Sequence, residues 1–102
     1  MVRYLGDPEC VLFCNPATHS ATASHYDHTG RRNLTVRLST DDCHTWSASR
    51  TVCDGPAGYS ALAIAPGGTI LCAYETLTPE SYTGTIMLAR FGLDWLTTQA
   101  EY

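Results

Sequence analysis

Residues 58–75 read GYSALAIAPGGTILCAYE. Two short apolar runs, 61–65 and 69–73, flank Pro66, Gly67 and Gly68, which is the composition of a β-hairpin with a glycine-rich turn. Antiparallel strands joined by a tight turn bring their far ends together. Tyr59 and Glu75 bracket this hairpin, so a phenol and a carboxylate sixteen positions apart in sequence are expected as neighbours at its open end.

Working outward towards the N-terminus, residues 50–53 suggest a brief strand that stops at the Gly-Pro-Ala-Gly break of 55–58. In NLTVRLS, residues 33–39, apolar Leu34, Val36 and Leu38 alternate with polar Asn33, Thr35, Arg37 and Ser39, the period of a strand with one wet face. Asp41, Asp42 and Cys43 follow as a turn. The run ECVLFC, closed by Asn15 and Pro16, fits a strand buried on both faces, with residues 3–5 as its hairpin partner across residues 6–8. Residues 17–30 hold three His, several Ser and Thr and no helical period, which predicts a long loop.

On the other side of the hairpin, residues 82–84 read as a turn and TIMLARFGLDWL, residues 85–96, as a long apolar strand. No stretch makes a convincing amphipathic helix. About seven strands separated by turn chemistry predict an all-β antiparallel meander rather than an α/β sheet.

The 102 residues suit one small domain and exclude a complete large enzyme. A net charge of -4 with six Lys plus Arg gives a field that does not attract nucleic acid. No run approaches the roughly eighteen apolar residues of a membrane helix. Residues 1–4 lack the apolar core of a signal peptide, so no export address is expected within this chain, and its compartment is open.

Five cysteines, Cys10, Cys14, Cys43, Cys53 and Cys72, cannot all pair within one molecule. Most sit in or beside apolar runs, where a free thiol behaves as a small hydrophobe, so buried thiols in a reducing space are expected. No Cys-x-x-Cys spacing occurs, and the cluster His25, Tyr26, Asp27 and His28 lies in a Gly- and Thr-rich stretch that reads as a solvated loop. Neither a metal nor a cofactor is therefore expected.

One motif is specific. Residues 39–46, STDDCHTW, fit Ser-x-Asp-x-Gly-x-Thr-Trp except that Cys43 stands at the glycine. Ser39 and Asp41 side chains would fold back on backbone N–H groups to fix a turn, with Thr45 and Trp46 packed beneath it. If that position needs positive φ, Cys43 carries strain there. This stretch resembles the Asp-box that marks blades in sialidases and related propeller proteins, a structural element also found in proteins without activity. The resemblance extends to VLFCNP (11–16), RRNLTVRLS (31–39), the hairpin of 58–75 and ARFGLDWL (89–96), which follow the order and spacing of the C-terminal third of the exo-sialidase (neuraminidase) family. It implies β-propeller blades, about two of six: residues 1–57 one blade, and residues 58–102 three strands of the last.

The resemblance also implies roles. Arg31, which opens an Arg-x-Asn-Leu stretch, matches one of three arginines that clamp the sialic acid carboxylate, a task suited to a permanently charged bidentate group; Arg32 is the rival for it. Tyr59 matches the nucleophile, and sialidases are the glycosidases that use a tyrosine. Glu75 matches the acid that holds the first clamp arginine, so Tyr59 and Glu75 are expected to lie close without acting on each other. Tyr74 and Tyr82 read as packing residues.

The family's other two arginines, its acid/base Asp and the Glu that activates the tyrosine lie upstream of the matching segment, and Asp7, Asp27 and Asp54 lack their context. The chain is therefore expected to be the C-terminal fragment of an exo-α-sialidase acting on a sialylated glycan or glycolipid, inactive alone and completed by the missing blades. The alternative is a non-catalytic sialic-acid-binding lectin in which copies of a two-blade unit associate into a propeller.

Overall fold

A computed structural model describes residues 1–6, 9–17, 32–76 and 84–98. Among them, six strands run in sequence order through one antiparallel sheet: β1 (Val2–Tyr4), β2 (Cys10–Pro16), β3 (Arg32–Ser39), β4 (Ala48–Ile64), β5 (Ile70–Thr76) and β6 (Ile86–Phe91). The chain is all-β apart from one short helix, α1 (Leu93–Thr97). The expected long loop of 17–30, the His25–His28 cluster, Arg31, Asp7, Tyr82 and the turn of 82–84 fall outside the described residues, except for Ala17 and Gly84 at their edges.

The alternation of β3 places Leu34, Val36 and Leu38 in the interior, as its period predicts. Val36 and Leu38 meet Cys10 and Leu12 of β2, Ala48 of β4, Ile70 of β5 and Leu96 of α1 in the main core, while Leu34, Ala57 and Cys72 form a second cluster. Thr35, on the face expected to be wet, is also buried. Register shifts between Arg32 and Leu34 and between Leu34 and Thr35 accompany this, and the Thr35 hydroxyl donates to the Asn33 carbonyl at 2.7 Å. The sheet curls, bringing β1 against β4. Tyr4 reaches the β4–β5 turn, where Gly67 and Gly68 both have φ of 94°, a conformation that L side chains rarely adopt.

Two local expectations are corrected. The strand predicted at 50–53 does not stop at 55–58: β4 is seventeen residues long and passes through Gly55 and Pro56. Its ladder partner changes there, with Arg32 of β3 opposite Pro56 and Thr76 of β5 opposite Ala57. Proline is tolerated because one strand hands over to another at this point, so no continuous ladder needs its missing N–H. The apolar run 85–96 also does not remain a strand. It ends at Phe91, and Gly92 starts α1, with Asp94 in the first turn and Leu96 buried beneath. The Thr97 hydroxyl bonds the Leu93 carbonyl and Thr98 closes the last turn on the Asp94 carbonyl. Arg50 fixes the helix by donating from Nη1 to the Trp95 carbonyl at 2.7 Å while its guanidinium lies 4.3 Å from the Trp95 ring centroid.

Candidate active site

The Ser39–Trp46 turn forms as its residue types require. Ser39 Oγ donates to Asp41 Oδ1 at 2.8 Å and accepts the N–H of Cys43 at 2.9 Å. Asp41 Oδ1 also accepts the Thr45 N–H at 2.8 Å, and its other oxygen accepts the Thr45 hydroxyl at 2.5 Å. The Thr45 hydroxyl and amide, followed by Ser39, hold the Asp41 carboxyl down at about 2. Cys43 has φ of 69° and Asp42 57°, so the position where the motif calls for glycine is indeed left-handed. Trp46 is more open than a residue packed beneath the turn is expected to be: it is 39% exposed, with its ring beside Phe13, centroids 6.0 Å apart. Its own strand has not yet begun at that point, since β4 starts at Ala48.

This turn sits at the end of β3 remote from Arg32. Seven residues of strand separate Ser39 from Arg32, about 23 Å at the usual rise. The functional candidates gather at the Arg32 end. Arg32 is exposed and opposite Pro56, three residues before Tyr59 on β4, while Glu75 stands near the end of β5. Arg31, the favoured carboxylate ligand, lies outside the described residues.

Tyr59 owes its position to a feature that the hairpin pattern did not reveal. Ala57 pairs with Thr76 and Ser60 with Tyr74, so β4 advances three residues while β5 advances two. This is a β-bulge, which leaves an extra residue outside the ladder and re-aims its side chain. The N–H released there is satisfied by a carboxylate: Tyr59 N donates to Glu75 Oε1 at 3.0 Å. Tyr59 and Glu75 are therefore neighbours, as expected, and they also interact, through the backbone N–H of one and the side chain of the other. Gly58, next to Tyr59, was the available signal, since an isolated glycine within a strand pattern marks a bulge.

The Tyr59 side chain is 75% exposed and, with Glu75 and Ile86, lines a shallow groove of about 260 Å³ on the outer face of β4–β6. Tyr74 also lines this groove and packs on the second core cluster, as a packing residue should; burial pushes its phenol up, helped by Cys53 and Cys72. Asp54 is exposed on β4. Among the described residues, no group of three His, Cys, Asp or Glu is arranged to hold a metal ion, and no helix is long and apolar enough to cross a membrane.

An exposed tyrosine held on a bulge beside a carboxylate, at the open rim of an antiparallel sheet, gives the geometry of a partial site. No family model matches the chain. Two curated proteins do. It is 38% identical over 86 residues to a sialidase of Micromonospora viridifaciens, a match covering 84% of this chain and 11% of that protein. It is 34% identical over 86 residues to Sialidase-4 of Mus musculus, covering 74% of this chain and 18% of the relative. The chain is thus a sialidase-related region, and it spans less than a fifth of the length of either relative.

Proposed function

We propose that this chain is the nucleophile-bearing part of an exo-α-sialidase, a glycoside hydrolase that releases terminal sialic acid from glycoconjugates, and that it contributes about two blades to the C-terminal side of a six-bladed propeller. Tyr59 attacks the anomeric carbon, Arg31 binds the sugar carboxylate, and Glu75 supports an arginine of the same clamp. The observation that carries this reading is the Tyr59 bulge braced by Glu75, in a chain related to sialidases over most of its length.

The electrostatics favour a phenol for this substrate. The anomeric carbon of sialic acid already bears a carboxylate, and an incoming Asp or Glu would meet about 4 kcal/mol of repulsion at 4 Å and an effective dielectric of 20. A neutral phenol avoids this and loses its proton to a neighbouring base only as it attacks. That base, the acid/base Asp and two further arginines come from the blades that this chain does not contain. Within this reading the Ser39–Trp46 turn is an Asp-box with a structural role, consistent with its distance from the Arg32 rim. Ile86 and Leu88, exposed on β6, belong to the surface that a neighbouring blade covers.

The test is a chimera in which this chain replaces the matched stretch of the Micromonospora viridifaciens sialidase. The chimera should cleave a fluorogenic sialoside, Tyr59→Phe within it should lower kcat/KM by at least about 1,000-fold, and the chain alone should give no turnover. A Tyr59→Phe chimera as active as its parent overturns the nucleophile assignment. A folded chimera that binds sialic acid without cleaving the sialoside overturns the enzymatic reading in favour of a lectin.

A further inference from the structure

Cys14 and Cys72 are distant in sequence and lie on strands that do not pair with each other, yet their sulfurs are 3.8 Å apart. Cys14 is the fifth residue of β2, opposite Val36; Cys72 is the third of β5, between Leu62 and Ala89. Only the curl of the sheet at β4 brings them together. Cys14 touches both core clusters, whereas Cys72 is fully buried in the second, so the pair sits at the seam between the two halves of the sheet with Cys14 on its more open side.

We propose that Cys14 and Cys72 form a redox-active thiol pair that a low-molecular-weight disulfide such as oxidised glutathione converts into an intramolecular disulfide, stapling the β4–β5 hairpin to β2. The Cys14 thiolate attacks one sulfur of the oxidant and expels one thiolate, which takes up a proton, leaving a mixed disulfide on Cys14. The Cys72 sulfur, losing its proton, then attacks the Cys14 sulfur and expels the second thiol. The protein loses two hydrogens and the oxidant becomes two thiols. Closure requires the sulfurs to approach from 3.8 Å to bonding distance, about 2.05 Å, a shift within reach of side-chain rotation.

The surroundings divide the two roles. The hydrogen bond from Cys72 holds the Cys14 thiol down at about 7 against the opposing effect of burial, with Ser60 and Arg37 adding to the lowering. A thiol titrating near ambient pH is the best attacking group, because it combines thiolate fraction with nucleophilicity. Cys72 is pushed up, first by holding its proton against the Cys14 sulfur and then by burial. Once Cys14 carries a mixed disulfide its negative charge is gone, and with it the main cause that keeps Cys72 protonated. Cys14 is thus the attacking residue and Cys72 the resolving one. Cys53 packs on the same cluster, but the sulfur–sulfur contact is between Cys14 and Cys72.

The experiment is oxidation of the folded full chain with glutathione disulfide near neutral pH, followed by alkylation and peptide mapping, with a urea-denatured sample oxidised in parallel. The folded chain should yield the Cys14–Cys72 linked peptide in large excess over the other nine pairings that five cysteines allow, an excess absent from the denatured sample. The oxidised chain should unfold at a higher urea midpoint, returning to the original value on reduction, and Cys72→Ser should accumulate glutathione on Cys14. Linked peptides distributed alike in the folded and denatured samples overturn the proposal. So does glutathione collecting on Cys43 or Cys53 while Cys14 and Cys72 stay reduced, or a Cys14–Cys72 link that lowers the urea midpoint.

Discussion

Replacing Cys43 with glycine should stabilise the protein, although it deletes a half-buried side chain. At φ of 69° the Cβ of an L residue crowds the following carbonyl, at a cost of about 1–2 kcal/mol. The Cys43 N–H donates to Ser39 Oγ at 2.9 Å, and this bond uses only backbone on the Cys43 side, so glycine keeps it. Opposing the gain is the extra backbone entropy that glycine loses on folding, about 0.5–1 kcal/mol, together with the lost thiol contacts. The net gain is about 0.5 kcal/mol, worth about 2–4 °C in Tm for a chain of this size. Cys43→Ala is the deciding control, because alanine retains the Cβ and its strain while losing the sulfur; glycine should exceed alanine by about 1 kcal/mol. Urea unfolding under reducing conditions, followed by the fluorescence of Trp46 and Trp95, measures both. An alanine variant as stable as the glycine variant would refute the claim that the left-handed backbone at residue 43 carries strain.

Three further perturbations follow from the same geometry. The Asp41 carboxyl lies below its ordinary value of 3.8, so its contribution to stability is complete above about pH 4 and is lost as pH falls through about 2; Asp41→Asn should abolish that part of the acid titration, read from Trp46 fluorescence. Arg50→Lys keeps the charge but loses the planar stacking on Trp95 and the directed bond to its carbonyl, and should cost about 1–2 kcal/mol in urea unfolding with a change in Trp95 emission. Leu34→Ala, at a fully buried position, should cost about 2–5 kcal/mol, whereas Leu88→Ala, 60% exposed on β6, should change stability by less than about 0.5 kcal/mol; equal effects of these two would contradict the core as described.

Local sequence carried much of this structure because much of it is local. The 58–75 hairpin is specified by its turn residues, and with it the proximity of Tyr59 and Glu75. The period of residues 33–39 placed Leu34, Val36 and Leu38 inside, and Ser39 and Asp41 make the hydrogen bonds that their side chains favour over a short span. Reading failed where a long-range contact overrode a local signal. Gly55 and Pro56 look like a break, yet the chain stays extended because β3 and β5 pair with it on either side. The alternating apolar residues after Phe91 look like strand, but Gly92 frees the chain to turn, and Leu96 and Trp95 gain burial and the Arg50 contact by coiling.

The sequence by itself determined an acidic, antiparallel β chain with a turn fixed by Ser39 and Asp41 and a phenol near a carboxylate, since each depends on spacing within a few residues or across one tight turn. Tertiary structure decided that Tyr59 stands on a bulge with its N–H on Glu75, because a bulge is a mismatch between two strands; Gly58 marks where one can form but not which N–H it releases or to which partner. Tertiary structure alone decided that Cys14 meets Cys72, which requires the sheet to curl through β4 and bring together strands that share no hydrogen bonds.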